Sequence, residues 1–590
     1  MKRLLRILTV ALMAAMTISA YAADDITIGD LTYNFYTSGN AYVKSCKEGV
    51  TEVTIPNSIE VNGETKNVTG IGNSAFEGNT TIQKVYLGRE GNYAVQIGTN
   101  AFKGATSLNT IAYTESSGKS ATYRKDGVVV IPTSSSLKNN AFEGCTSITT
   151  VISVYTKQVI PNNAFKDCTK LDSVALGTSC LSIGESAFEG CAALRIVAGC
   201  GGNDTGKLTE VGAYAFKGCT NLTELGDKGR IYFYYVTSLG EGALEGCSSI
   251  TYVTMPEVKE IANNTFKDCT SLERIGGTEG RLRPVATKIG DSAFENCSSA
   301  TYFLDANLTE IGANAFKNSG IETFYTGRGT YYTKRITLTN NVTKIGESAF
   351  EGTPSTIVFF ADGTVPETLG ANAFTSNPAK RVLLPMANII KESYEALVEY
   401  DPRALLLLNS MTPVVVSAKM TVSLNNSNLV YKYVKSVSET DEGVTVETED
   451  TPEKVILANT ALIIESIATA NTNYYFHISP EPQTPTYQNY LTANTEETTL
   501  PASDGKTNYY TFAPIDGDDF LTFAKVIEET TMPAGTGYLK VEDGKATPTG
   551  IRELRADDKK ADVYYNLSGV RVENPQKGIF IRNGKKVVIK

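Results

Sequence analysis

Ile183-Gly184-Glu185-Ser186-Ala187-Phe188-Glu189-Gly190-Cys191 decides how the whole chain is read, because close variants of it recur twelve times between residues 71 and 377. Anchored on the aromatic position, the copies fall at Phe76, Phe102, Phe142, Phe165, Phe188, Phe216, Leu244, Phe266, Phe294, Phe316, Phe350 and Phe374. The shorter steps between anchors are 22 to 24 residues. That is too short for a pair of packed helices, whereas one strand, a tight turn and a return fit it, which makes each copy one coil of a solenoid.

Each position in the coil carries a physical expectation. Five residues before the anchor stands an apolar residue in every copy (Ile71, Ile97, Leu137, Ile160, Ile183, Val211, Leu239, Ile261, Ile289, Ile311, Ile345, Leu369), which predicts an inward ladder. Glycine follows it in nine copies and is read here as permitting a sharp turn. Alanine precedes the anchor everywhere except at Thr265, as expected where a bent backbone passes too close for a larger side chain. Ser74, Ser186, Ser292 and Ser348 each have Glu three residues on, a capping-box spacing that predicts a short helical turn. Gly, Asp or Asn two residues after the anchor, in eleven copies, predicts a left-handed residue closing that turn. Leu171, Val174 and Leu176 then predict a strand with its inward positions apolar.

The pattern Ile-Gly-x-x-Ala-Phe-x-Gly-Cys-x-x-Leu-x-x-Val resembles the BspA-like, or Treponema-type, leucine-rich repeats of bacterial surface proteins, over residues 45 to 408. Departures are local: Leu244 replaces Phe, and Ser319, Thr353 and Asn377 replace Cys. The expected fold is a β-rich leucine-rich-repeat solenoid of about twelve coils with short helical turns. The resemblance implies a non-enzymatic exported protein that binds a macromolecule of a host or neighbouring cell.

Around the solenoid, residues 1–22 read as a secretory signal: Lys2, Arg3 and Arg6, then an apolar run from Ile7 to Ile18, then Ala20-Tyr21-Ala22. The run is shorter than the ~20 residues a membrane span needs. Residues 23–70 read as a strand-rich N-terminal cap with a turn at Asn62-Gly63, and residues 71–408 as the solenoid. A closing helix is expected from Ile389 to Tyr400, with Ile390, Tyr394, Leu397 and Val398 on one face. Residues 409–550 alternate like an antiparallel β-sandwich. Residues 551–590, with Gly578-Ile579-Phe580-Ile581 and Lys586-Val587-Val588, are similar to the C-terminal sorting modules of Bacteroidota secreted proteins, and also read simply as a small terminal sheet.

The formal charge is −10, and −13 without the three basic residues of the leader, which argues against nucleic acid as a partner. Seven of ten cysteines (Cys145, Cys168, Cys191, Cys219, Cys247, Cys269, Cys297) stand three residues after successive anchors. Parallel side-chain vectors disfavour disulfides among them, so buried free thiols are expected, while Cys46, Cys180 and Cys200 lie outside the series. No C-x-x-C pair suggests a metal, and no cofactor motif occurs. Asp516-Gly517-Asp518-Asp519 lacks full calcium-loop spacing and reads as a hairpin turn. The single histidine, His477, sits inside an expected strand, far in sequence from the ladder thiols, so no catalytic set is assigned.

Binding residues are sought on two surfaces. Insertions between strand and next ladder position carry Tyr and Arg, types enriched in binding hot spots: Arg230, Tyr232, Tyr234 and Tyr235; Gly280-Arg281-Leu282-Arg283; and Arg328, Tyr331 and Tyr332. The same segments read more simply as extra strands or hairpins packing their aromatics on the solenoid. The outward strand face presents Tyr252, Arg274 and Tyr302 in successive coils, eight residues after the anchor. The expected partner is an extracellular protein, with a glycan or no specific ligand as alternatives; the absence of Trp weakens the glycan reading.

Overall fold

The computed structural model describes residues 25–88, 95–113, 126–131, 137–153, 158–176, 180–199, 208–227, 229–276, 284–327, 333–376, 379–386 and 391–408. Beyond these it describes shorter runs within 414–589. The leader, Cys200 and the 516–519 turn lie outside them. The chain divides into two units: residues 1–333 with 344–354 and 370–376, and the remainder.

In the first unit the coils form mainly parallel strand ladders on two sides, the short-strand side falling into separate sheets. On one side, short strands pair Ile71 with Ile97, Ile183 with Val211, Val211 with Leu239, Ile261 with Ile289, Ile289 with Ile311 and Ile311 with Ile345. The opposite, strand side pairs Glu52–Ile55, Lys84–Leu87, Thr110–Tyr113, Val128–Ile131, Thr150–Ser153, Ser173–Ala175, Ile196–Ala198, Glu224–Asp227, Arg230–Tyr232, Tyr252–Thr254 and Arg274–Ile275 in one sheet. Alternation decides which residues point inward: Val85, Ile111, Val151, Val174, Val197, Leu225 and Val253 are all buried.

Between the ladders runs a file of phenylalanines. Phe76, Phe102, Phe142, Phe165, Phe188 and Phe216 stack in turn, with centroids 4.9–5.4 Å apart and interplanar angles of 13° or less. Leu244 interrupts the file, which resumes from Phe266 through Phe294, Phe316 and Phe350 to Phe374. Beside it the seven ladder cysteines are free and buried. Each donates its S–H to the anchor carbonyl of the preceding coil, as in Cys191 to Phe165 at 3.0 Å and Cys219 to Phe188 at 3.1 Å. Burial raises all these thiols, Cys145 to about 12, so thiolate chemistry is suppressed. Ser319, in the same slot, is buried with its shorter hydroxyl unpartnered.

The turn corrects two expectations. Ser74, Ser186, Ser292 and Ser348 have φ of 53–56°, so they cannot be N-caps, which need extended backbone. The segment is a run of tight turns such as Glu189 N–H to Ser186 O at 3.2 Å, not an α-helix. The glycine after the isoleucine position is needed for close approach rather than for a left-handed turn: a Cβ on Gly240 would meet Ala213 N at 2.2 Å. The residues two after the anchor do adopt positive φ in eleven coils, Gly78, Asp167 and Asn296 among them.

One residue after the anchor, Glu and Lys alternate strictly through eleven coils, from Glu77 to Glu351. Each lysine pairs with the glutamate of the following coil: Lys103–Glu143, Lys166–Glu189, Lys217–Glu245, Lys267–Glu295 and Lys317–Glu351, at 2.8–3.1 Å. Half-exposed pairs of this kind contribute roughly 0–1 kcal/mol each.

Asp305 occupies an inward position that holds Leu87, Leu176 and Met255 in other coils, and is 5 % exposed with Oδ2 unpartnered. Burial lifts its carboxyl to about 6, against hydrogen bonds from the Asn307 and Ala286 amides. The folded state therefore holds this proton more tightly than the unfolded chain, and stability falls as pH rises from about 4 through about 6. Asp305→Asn, which keeps the accepting oxygen, should raise the melting temperature at pH 7.5 but not at pH 4. Identical pH profiles for the two proteins would sink this.

In the second unit, parallel strands Arg335–Leu338, Ile357–Phe360, Arg381–Pro385 and Arg403–Leu408 lead antiparallel into Thr472–Ser479, then Thr421–Ser423 and Val455–Ile456. The closing helix is short, Lys391–Ala396 followed by a 3-10 turn Val398–Tyr400. The change of pitch leaves Leu397 buried but turns Val398 out to 58 % exposure, against the one-face expectation. Two four-stranded antiparallel sheets follow: Val414–Ala418, Thr460–Ser466, Leu429–Thr440 and Gly443–Asp450; and Leu491–Asn494, Thr536–Glu542, Thr507–Phe512 and Phe523–Lys525. They share a core of Val434, Val437 and Ile463 with Tyr510, Phe512 and Leu539. Tyr564–Tyr565, Arg571–Val572, Gly578–Arg582 and Lys585–Ile589 form a last antiparallel sheet.

Candidate interaction face of the strand ladder

The insertion Gly229–Tyr235 is resolved by pairing. Arg230–Tyr232 turns back antiparallel on Glu224–Asp227 and runs parallel to Tyr252–Thr254, with Ile231 opposite both Leu225 and Val253. It is thus an additional rung, as Val128–Ile131 is between Thr110–Tyr113 and Thr150–Ser153. Ile231 and Phe233 point into the core, and Tyr232 is only 7 % exposed, so it does not serve as a free contact loop. Tyr232 stacks on Tyr234 at 5.8 Å, and Tyr234 meets Tyr235 edge-on at 5.0 Å. Tyr234 is the exposed member, at 43 %.

This extra rung joins the two candidate surfaces into one. Arg230 precedes Ile231 as Tyr252 precedes Val253, and Tyr252 lies opposite Arg274. The outward row therefore runs Arg230, Tyr252, Arg274 on adjacent strands. The Arg230 guanidinium lies over the Tyr232 ring at 5.0 Å and the Tyr252 ring at 5.5 Å, and Arg274 covers Tyr252 at 4.8 Å. Each such contact contributes roughly 0.5–2 kcal/mol and holds the planar head in place. Nε of Arg274 is buried without a hydrogen-bond partner. Tyr302 opens the strand of the next coil, paired with Thr323. Arg328, Tyr331, Tyr332 and the 280–283 segment lie outside the described residues.

Sequence reasoning missed a matching row in the second unit. Ile357 has Arg335 opposite it on one side and Arg381 on the other. Arg335 lies over Phe359 at 4.7 Å and Arg381 over Tyr475 at 4.6 Å. Arg381 stands seven residues after its anchor, on the outward face, but Arg335 belongs to an insertion whose pairing no repeat position marks. His477 lies opposite Arg403 in register and contacts its guanidinium, while Arg403 also pairs with Asp401. Among the described residues no group of three His, Cys, Asp or Glu side chains is placed to hold a metal ion, and no helix is long and apolar enough to cross a membrane.

Two parallel ladders closed by a tight turn and an inward aromatic file define a leucine-rich-repeat solenoid. The chain belongs to the BspA-type leucine-rich-repeat family, whose pattern matches residues 40–124, 128–225, 203–322 and 323–395. It is similar to a leucine-rich repeat protein from Bacteroides ovatus, at 20% identity over 63% of this chain and 96% of that one, with a TM-score of 0.39. A leucine-rich cell surface protein from Faecalibacterium prausnitzii is 18% identical over 64% and 97% of the two chains, with a TM-score of 0.38. A leucine-rich repeat protein of T. pallidum is 23% identical over 38% and 91%, with a TM-score of 0.29. No curated protein matches. Members of this family are typically exported or held at the cell surface, and such repeat proteins are generally non-enzymatic.

Proposed function

We propose that this protein is a non-enzymatic, exported binding protein that holds an extracellular protein through the outward face of its strand ladder. The observation that carries the reading is the row Arg230, Tyr252, Arg274: guanidinium heads fixed against rings on rigid adjacent strands, in a chain that is acidic overall. Such positions combine the residue types of binding hot spots with little ordering cost on association. Tyr234, exposed beside the row, extends the contact area.

The test is saturable binding of the full chain to panels of immobilised extracellular-matrix proteins and glycans, with the Arg230→Gln, Tyr252→Ser, Arg274→Gln triple variant alongside. Binding to a protein that the variant weakens by about tenfold or more supports the reading, since each lost anchor is worth over ~1 kcal/mol. Unchanged binding by the variant removes this face from the mechanism. No binding to either panel favours a structural coat protein without a specific ligand.

A further inference from the structure

The turns between the short-strand side and the strand side form a column of their own, and its hydrogen bonds all run one way. At each of the eleven junctions between coils, the N–H groups two before, at and two after the anchor donate to carbonyls of the following coil. Ser74, Phe76 and Gly78 bond in this way to Thr99, Ala101 and Lys103 at 2.9, 2.7 and 2.7 Å, and Ser186, Phe188 and Gly190 to Ala213, Ala215 and Lys217, each at 2.8 Å. Such a column has a donor end and an acceptor end. The acceptor end is the first coil, where the carbonyls of Asn73, Ala75 and Glu77 take no hydrogen bond among the described residues.

The N-terminal cap covers the first coil on both strand sides but stops short of its turn. Val43 lies opposite Ile71, and the Gln83 N–H bonds to Thr51 O at 2.8 Å, so the cap supplies the start and the strand of a preceding coil. Only eight residues separate Val43 from Thr51, where twelve separate Ile71 from Gln83 and Ile97 from Asn109. The residues that would complete a turn are missing. In their place is a cleft of about 490 Å³, within the size range of ligand sites, lined by Cys46, Glu48, Ser74, Glu77 and Asn79 among others. Glu77 also opens the alternating charge series. Every later glutamate of that series pairs with a lysine in the coil before it, and Lys103 turns to Glu143, so Glu77 forms no ion pair among the described residues.

An occupant of this end must bring N–H groups without carbonyls beside them, and a positive charge. An extended strand fails, because each residue along its pairing edge brings a carbonyl together with its N–H and would set oxygen against oxygen. A metal ion is a poor match too, since the three carbonyls are spread along the turn and no group of three His, Cys, Asp or Glu side chains is placed to hold one among the described residues. The turn found at every junction of this chain meets the first need, and in the lysine coils, such as Asn314-Ala315-Phe316-Lys317-Asn318, it meets the second. Phe76 is already only 1 % exposed, so an occupant needs no ring at the anchor position.

We propose that the acceptor end of the turn column docks a lysine-bearing turn of a partner protein, its alternate N–H groups on the Asn73, Ala75 and Glu77 carbonyls and its ammonium on the Glu77 carboxylate. This site is separate from the strand face, so its failure leaves the reading of that face standing. Cys46, a half-buried free thiol in the cleft wall, reports occupancy. The test is the rate of Cys46 alkylation by iodoacetamide in the full chain, read by peptide mass mapping, as Ac-Asn-Ala-Ala-Lys-Gly-NH2 or Ac-Asn-Ala-Ala-Glu-Gly-NH2 is added. The lysine peptide should slow alkylation saturably, with an apparent affinity about fivefold or more above that of the glutamate peptide. In Glu77→Lys the preference should reverse, a swap that a misfolded protein would not show. Equal protection by the two peptides, none by either at about millimolar concentration, or an unchanged preference in Glu77→Lys overturns the proposal. Protection by spermidine equal to that of the lysine peptide assigns the cleft to simple polyamines and overturns it as well.

Discussion

Replacing Phe188 by alanine is expected to lower the free energy of unfolding by about 3–5 kcal/mol, the range for emptying a fully buried phenylalanine site. The ring is 0 % exposed and stacked between Phe165 and Phe216, both at 5.4 Å. Its removal takes contacts from both neighbouring coils, and in a solenoid neighbour contacts are what couple one coil to the next. Among the described residues Phe76 stacks on the ring of the next coil alone, Phe102, so Phe76→Ala should cost less. Urea denaturation of the two variants measures this. A loss below ~1 kcal/mol at Phe188, or an equal loss at both sites, would mean that the file is not what binds the coils together.

Alanine at Gly240 is the second large effect expected, at about 1–3 kcal/mol for overpacking. Its Cβ would lie 2.2 Å from Ala213 N and 2.5 Å from Gly212 C, both backbone atoms that cannot swing aside. The chain contains its own control. Where the next coil has Ala262 instead of glycine, no backbone hydrogen bond or pairing among the described residues joins Leu239 to Ile261, although Gly240 N–H bonds to Val211 O and Gly290 N–H to Ile261 O, both at 2.8 Å. A polar cleft of about 510 Å³ lies there, lined by Ser238, Glu241, Lys259, Glu260 and Lys288 among others. Pro161, with no N–H to give, breaks the ladder before Ile160, whereas Lys138 keeps its bond to Ile97 O at 3.1 Å on a lone bridge. Ala262→Gly should close the gap with little net change in stability, because a bond worth ~1 kcal/mol is offset by the extra freedom of the unfolded chain. Hydrogen exchange reads both changes: the amide of residue 262 should gain protection, and that of Gly240→Ala should lose it. Unaltered exchange at both positions would refute the steric account.

The repeat itself was legible because each coil restates the same local constraints. Twelve apolar residues at one offset, and Gly, Asp or Asn at another, pin both the inward ladder and the left-handed closure of the turn. What could not be read was anything set by a neighbouring coil rather than by the chain's own neighbours. Gly229–Tyr235 has the composition of a contact loop and of a strand alike, and only the open edge of Tyr252–Thr254 makes it a rung. The Ser-x-x-Glu spacing is common to a capped helix and to this turn, and backbone bonds such as Ser186 N–H to Ala213 O of the next coil select the turn. For the candidate face, Tyr252 and Arg274 were placed by periodicity alone. Arg230 could not be joined to them until the extra strand fixed its register.

The alternating Glu and Lys beside the anchors also bear on how such an array can change length. Duplicating or deleting one coil would set lysine beside lysine, or glutamate beside glutamate, on adjacent rungs that now hold ion pairs such as Lys166–Glu189 and Lys217–Glu245. Gain or loss of two coils together leaves every pair in phase. The coil is the unit of folding, but the pair of coils is the unit of inheritance that the charges permit.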